Sequence, residues 1–263
     1  MIKYKKSLGQ NFLHDKNIIN KIVKIGNISK DKVVLEIGPG SGNLTHQIIK
    51  MNPKKVIAIE KDKNLFIKLK KDFENCNNFK LINNDILKCI NLISEKNVTV
   101  FGNLPYNIST QILAGLILIK KWPPWYSNLV FMFQKEVAER IIAKKNTPQY
   151  GRLSILSNWR LEIIKHFNIS KNSFYPKPKV DSTLLSFRPK NNNFKIKNPK
   201  NLEKITSIFF SNRRKMINKN FFKLFGKNKK IEDELDLNLS KRPEELSHEM
   251  YYKITIKYES LFN

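Results

Sequence analysis

Val33-Val34-Leu35-Glu36-Ile37-Gly38-Pro39-Gly40-Ser41-Gly42-Asn43-Leu44-Thr45 is the stretch on which the fold turns. The apolar, β-branched run from Lys32 to Ile37 reads as a buried strand. It passes straight into a G-x-G-x-G loop, and a helix follows from about Leu44 to Lys50. Strand, glycine loop, helix is the ligand-binding opening of a doubly wound α/β domain. The glycines let the backbone turn tightly and approach a ligand with no Cβ in the way. The spacing is not the G-x-G-x-x-G of the dinucleotide fingerprint. An ordinary strand-to-helix turn is the plain alternative.

Further strand-and-helix units follow. Val56–Glu60 is a second strand that ends in an acid, where a carboxylate can accept from both hydroxyls of a ribose. A charged helix from about Lys63 to Phe73 comes next, and then a short third strand, Phe79–Ile82. Asp85 just beyond it suits either an adenine amine or a turn and helix cap. The fourth strand, Val98–Phe101, leads into Gly102-Asn103-Leu104-Pro105-Tyr106-Asn107-Ile108-Ser109-Thr110. Pro105 fixes its own φ and pushes Leu104 towards an extended conformation. The Asn103 side chain, the Leu104 carbonyl and the Tyr106 ring are then held in a stiff turn. Two acceptors and a ring can grip a flat heterocycle that carries an amino group; a Pro-Tyr turn with a capping Asn is the alternative. Ser109 or Thr110 can cap a helix over Gln111–Lys120. Leu129–Phe133 is a fifth strand, and Gln134–Ile141 is helical. This succession predicts a parallel sheet with its ligand at the C-terminal strand edges. Gly38, Glu60, Asp85 and Asn103 converge on that edge, which favours the site reading of each.

The chain has 263 residues and a formal charge of +27, with 41% hydrophobic residues. A surplus of cations of that size points to a polyanion such as nucleic acid as partner. Lysine, asparagine and isoleucine abound throughout, so compositional bias is a second source of the charge. No apolar run is long enough to span a bilayer, and the basic N-terminus leads into polar residues rather than a signal core. The expectation is a cytoplasmic protein. Cys76 and Cys89 lack metal or disulfide-framework spacing, and the four histidines are scattered, so no metal is expected.

Residues 1–10 read as a flexible basic arm, and Asp15 as the cap of a helix through Ile18, Ile19, Ile22 and Val23. In the second half, Leu161–Phe167 and Ser182–Phe187 read as strands. Between them, Ser173-Phe174-Tyr175-Pro176-Lys177-Pro178-Lys179-Val180-Asp181-Ser182 is stiff and extended. Phe174 beside Lys177 or Lys179 suits stacking on a splayed-out base near phosphate, or else a ring that closes the core. Arg188–Asn193 is a linker candidate. From about Asn198 the pattern is helical, with Arg213, Arg214 and Lys215 suited to phosphate or to a solvated face. Arg242–Ser247 reads as the start of the last helix. The expected domains are 1–190 and a small helical, RNA-binding one over 191–263.

With these motifs assembled, the chain resembles the S-adenosylmethionine-dependent rRNA adenine N6-dimethyltransferases, closest to their bacterial small-subunit (16S) branch. Ser7–Leu13, Leu35–Thr45, Asn103–Thr110, Val130–Ile141, Tyr150–Ser154, Phe174–Ser182, Phe210–Lys215 and Arg242–Ser247 carry the resemblance. The glycine loop marks methyltransferases broadly; Asn-Leu-Pro-Tyr-Asn-Ile-Ser-Thr and Phe-x-Pro-x-Pro-Lys-Val-Asp-Ser are far more specific. The resemblance implies a Rossmann-like class I methyltransferase sheet with S-adenosylmethionine as cofactor. It implies that Asn11 and Leu13 close over the cofactor, Gly38 lies at its methionine end, Glu60 holds the ribose and Asp85 the adenine. Asn103 would line the cofactor site and, with the Leu104 carbonyl, face the target amine, and Tyr106 and Phe174 would clamp the base. The implied reaction gives N6,N6-dimethyladenosine at two adjacent adenines near the 3' end of small-subunit rRNA, during subunit biogenesis, by a monomer. The alternatives are a large-subunit rRNA dimethyltransferase of the antibiotic-resistance type, a DNA adenine methyltransferase, and a non-catalytic RNA-binding assembly factor.

Overall fold

The predicted strands assemble into one seven-stranded sheet. In this computed structural model, which describes residues 9–191 and 193–262, the strands are Phe12–Leu13 (β1), Val33–Ile37 (β2), Lys55–Glu60 (β3), Phe79–Asn83 (β4), Val98–Asn103 (β5), Tyr126–Gln134 (β6), Leu161–Ile169 (β7), Phe174–Tyr175 (β8) and Ser182–Pro189 (β9). Of the arm read at residues 1–10, residues 1–8 lie outside the described residues, and Gln10 is bound to Asp62. The sheet runs β4-β3-β2-β5-β6-β9-β7. Its first five strands are parallel neighbours, and β9 joins β6 antiparallel. Strand order reverses between β2 and β5, so the crevice beyond their C-terminal ends is the expected ligand site. β1 and β8 form a separate two-stranded ribbon that local patterning did not reveal.

Helices cover the sheet. Lys16–Ile25 is capped by Asp15, which accepts from the backbone of Asn17 and Ile18 as its position predicted. Asn43–Lys50 opens on Gly42, and Lys63–Asp72 is capped by Asp62. The helix after β5 runs Ser109–Ile117, so Ser109 is its first residue rather than its cap. The Ser109 hydroxyl instead donates to the Tyr106 carbonyl at 3.3 Å. Ile22, Val34, Val56, Phe101, Met132 and Leu184 form one buried cluster beneath the sheet-covering helices.

The chain packs as two units. One comprises the stretch ending at Leu116, Pro123–Ala138 and Glu162–Pro189, and holds nearly all of the sheet. The other comprises Ile117–Trp122, Glu139–Leu161 and the chain from Lys190. This second unit is helical, with Arg152–Arg160, Pro199–Phe210, Asn218–Phe225, Lys229–Glu234 and His248–Phe262. Leu202, Ile205, Phe209, Tyr251 and Ile254 fill its interior. The buried Glu259 carboxylate accepts from the backbone of Lys197 and Asn198 and from Asn201 Nδ2, which anchors the start of Pro199–Phe210. The expected start of the last helix is corrected. Pro243–Glu245 is a single 3₁₀ turn, Leu246 is extended, and the helix begins at His248. The Ser247 hydroxyl caps it by accepting from Met250 N at 3.1 Å. No helix of the described residues is long and apolar enough to cross a membrane.

Candidate active site

The parallel strands end at a cleft of about 230 Å³. Gly38, Glu60, Asp85 and Asn103 all line it, as their shared place at strand ends predicts, and so do Asn11, Leu13, Leu104 and Tyr106. Gly38 turns at φ 65° and has nothing within 4 Å of where a Cβ would sit, so its backbone faces the open cleft. Gly40, at φ 60°, lies under the Phe12 ring, which comes within 2.9 Å of the position a Cβ would take. A side chain at Gly40 would displace that ring.

Glu60 ends β3 and is 6% exposed. Its Oε2 accepts from Gly40 N at 3.2 Å and its Oε1 from Asp62 N at 2.8 Å. Burial raises its pKa, opposed by those backbone donors. Asp85 takes the capping one of its two readings. Its Oδ1 caps a short helix through Leu87 N at 3.0 Å while its Oδ2 pairs with Lys61 Nζ at 2.9 Å. The hydrogen bond from Lys61 is the main cause that holds the Asp85 carboxyl below its ordinary pKa, and it counters partial burial.

Asn103 is the last residue of β5. Its Nδ2 donates to the Asn11 carbonyl at 2.6 Å, so Oδ1 is the end left for a ligand. The segment that bears Asn11 is tied down on both sides. Gln10 Nε2 donates to Asp62 Oδ2 at 3.2 Å, and the Leu13 carbonyl accepts from Asn43 Nδ2 at 2.8 Å. The Tyr106 hydroxyl shares a 2.7 Å hydrogen bond with Ser182 Oγ, and burial raises its pKa. The phenol therefore stays protonated at neutral pH and serves as a fixed ring.

Phe174 is placed differently from its expected stacking role. It is 2% exposed and packs in the core cluster with Leu13, Ile19 and Ile22. It is not among the residues that line the cleft. The reason is the ribbon: successive side chains of a strand face opposite sides, so Phe174 points inward and Tyr175, 62% exposed, points out. Arg213 is likewise spent locally. It donates to Glu244 at 2.7 Å and to the Thr147 carbonyl at 3.2 Å, whereas Arg214 and Lys215 are exposed.

A family model described as ribosomal RNA adenine dimethylase matches residues 1–259. The chain belongs to that family. Its relatives include "Ribosomal RNA small subunit methyltransferase A" of Pelagibacter ubique, 52% identical over 99% of this chain and 98% of the relative. The protein of the same name from Mycoplasmopsis synoviae is 46% identical over 82% of this chain and 83% of its own length. Among solved structures, a dimethyladenosine transferase from Plasmodium falciparum superposes with TM-score 0.76 at 28% identity, covering 95% of this chain and 98% of that one. The 23S rRNA methyltransferase ErmE shares the fold, with TM-score 0.66 at 20% identity over 94% and 99% of the two chains.

As an rRNA adenine dimethylase, the chain is an S-adenosylmethionine-dependent methyltransferase with a Rossmann-like sheet. The cleft's donor set fits such a cofactor: carboxylates for hydroxyls and amines, and the bare Gly38 backbone for close approach. Glu36 belongs to this dimethylase cleft too, although it lies in none of the site motifs. It is 2% exposed, accepts from Thr45 Oγ1 at 2.6 Å, and lines the cleft beneath the glycine loop. A single charge inside the apolar run Val33–Ile37 was the available signal. Lys61, which pairs with Asp85, carried no comparable signal among so many lysines.

Proposed function

We propose that this dimethylase converts two adjacent adenines in a loop near the 3' end of small-subunit rRNA to N6,N6-dimethyladenosine, acting in the cytoplasm as a monomer on the immature small ribosomal subunit. The names of its relatives support the small-subunit assignment. One observation carries the chemistry: the 2.6 Å hydrogen bond from Asn103 Nδ2 to the Asn11 carbonyl. It orients the amide so that Oδ1, together with the Leu104 carbonyl, can accept the two N–H bonds of an adenine N6 amine. That amine's lone pair is delocalised into the ring, so it is a poor nucleophile. Acceptors on both hydrogens favour a tetrahedral nitrogen and aim its lone pair, and Tyr106 stacks on the base to hold it in line. S-adenosylmethionine, when bound, would supply a methyl on a sulfonium, with a neutral thioether as leaving group, and the methylated nitrogen would release one proton to solvent at each transfer. Glu60 holds the ribose hydroxyls, Asp85 the adenine amine, Gly38 the methionine end, and Asn11 and Leu13 cover the cofactor. The base must leave any stack to enter, so single-stranded or loop RNA is the substrate form. The helical unit, with Arg214 and Lys215 exposed, supplies phosphate contacts.

Labelled cofactor incubated with immature small subunits should mark adjacent adenines near the 3' end, mapped by mass. Asn103→Ala should lower transfer by at least ~100-fold, well beyond any loss of cofactor affinity measured by calorimetry; rates of this order follow when an amine loses its positioning. Label on large-subunit RNA or duplex DNA in place of small subunits would overturn the substrate assignment, and full activity of Asn103→Ala would overturn the residue's role.

A further inference from the structure

The ribbon of β1 and β8 pairs Phe12 with Tyr175 and Leu13 with Phe174. Residues directly opposite in an antiparallel pair project to the same face. Leu13 and Phe174 take the inner face and are 4% and 2% exposed. Phe12 and Tyr175 therefore share the other face. Phe12 lines the cleft over Gly40, and Tyr175 stands beside it at 62% exposure.

One exposed aromatic residue is ordinary. Tyr175 is set apart by the loop it opens. That loop ends at Ser182, whose hydroxyl meets Tyr106 of the acceptor turn at 2.7 Å. Lys177 and Lys179 are exposed between these points and, among the described residues, pair with no carboxylate. The loop is held rather than floppy: Pro176 and Pro178 stiffen it, and Asp181 accepts from Lys171 N at 2.9 Å and Lys135 N at 3.0 Å. An exposed ring succeeded by two cations, on a stiff loop anchored to the acceptor turn, matches what single-stranded nucleic acid requires, namely a stacking face beside charge for the backbone.

We propose that Tyr175 is a stacking platform for a nucleotide that flanks the target adenine, with Lys177 and Lys179 serving its phosphates. This rests on the reading of the cleft as an adenine-acceptor site in RNA. It adds a contact outside the cleft that selects unpaired sequence on one side of the target.

The test uses the full chain and a small-subunit rRNA fragment that carries the target loop, with 2-aminopurine next to the target adenine. Tyr175→Ala should weaken RNA binding roughly 5- to 140-fold, the range set by loss of one base–aromatic stack. It should also abolish the aminopurine fluorescence change seen on binding wild type. Tyr175→Trp should restore both, Tyr175→Leu neither, and cofactor affinity should be the same in all four proteins. Wild-type RNA affinity in Tyr175→Ala, rescue by Leu equal to that by Trp, or a parallel loss of cofactor affinity would each overturn the proposal. Failure of wild type to methylate the fragment would count against the small-subunit assignment alone. The stacking claim is then still decided by the ratio of wild-type to Tyr175→Ala affinity for single-stranded oligoadenylate RNA.

Discussion

Glu36 is a carboxyl group in the wrong solvent. Burial pushes its pKa up to about 7, with the Thr45 hydroxyl opposing the shift and neighbouring Glu60 reinforcing it. In an unfolded chain the same group titrates near 4.5, so between those values the folded state holds a proton that the unfolded state releases. The stabilisation is complete below pH 4.5 and is lost as pH rises through 7, a swing on the order of 3 kcal/mol. Thermal melts from pH 5 to 8 should show Glu36→Gln gaining on wild type as pH rises, because Gln keeps the acceptor for Thr45 and never ionises. A constant gap between the two proteins would show that Glu36 does not titrate in that window. Residue identities at the strand ends were legible because each rests on a local cue: an acid after an apolar run, a proline after Asn-Leu. The partners were not legible. Nothing near Asn103 in the sequence announces the Asn11 carbonyl, and nothing near Asp85 singles out Lys61.

At the scale of elements, period and punctuation located the five parallel strands, since buried strands are apolar runs bounded by loops. They missed the ribbon because two residues per strand carry no period, and its halves lie far apart in the chain. The Phe174 misplacement stems from that omission: without the pairing, alternation has no inside or outside. The end of Ser109–Ile117 was also misjudged, and Arg160 supplies the reason. Its Nη1 donates to the carbonyls of Ile117 at 2.9 Å and Ile119 at 2.6 Å. Its guanidinium carbon lies 4.6 Å from the Trp122 ring centre and 3.9 Å from that of Trp159. A cation that closes off a helix C-terminus from more than forty residues away leaves no local trace. Arg160→Met keeps the stem but strands two buried carbonyls, and should cost on the order of 2–4 kcal/mol. Urea unfolding checks this, and a midpoint equal to wild type would assign the stability elsewhere.

At the scale of the molecule, the +27 charge named the class of partner but not its docking site. Lysines are spread over both units, and of the three cations suited to phosphate or a solvated face, Arg213, Arg214 and Lys215, the first is bound to Glu244. The chemistry also has to happen twice at each base, and spent cofactor must be exchanged in between. The segment that lines the cleft at Asn11 is the one whose carbonyl accepts from Asn103. If cofactor exchange requires that segment to lift, the Asn11–Asn103 hydrogen bond breaks and the proposed hold on the singly methylated adenine slackens. The enzyme should therefore be distributive. In a pulse–chase with unlabelled RNA, singly methylated adenine should accumulate on released RNA and then decline. A time course that passes directly to the doubly methylated base, undiluted by the chase, would show that the grip outlasts the exchange.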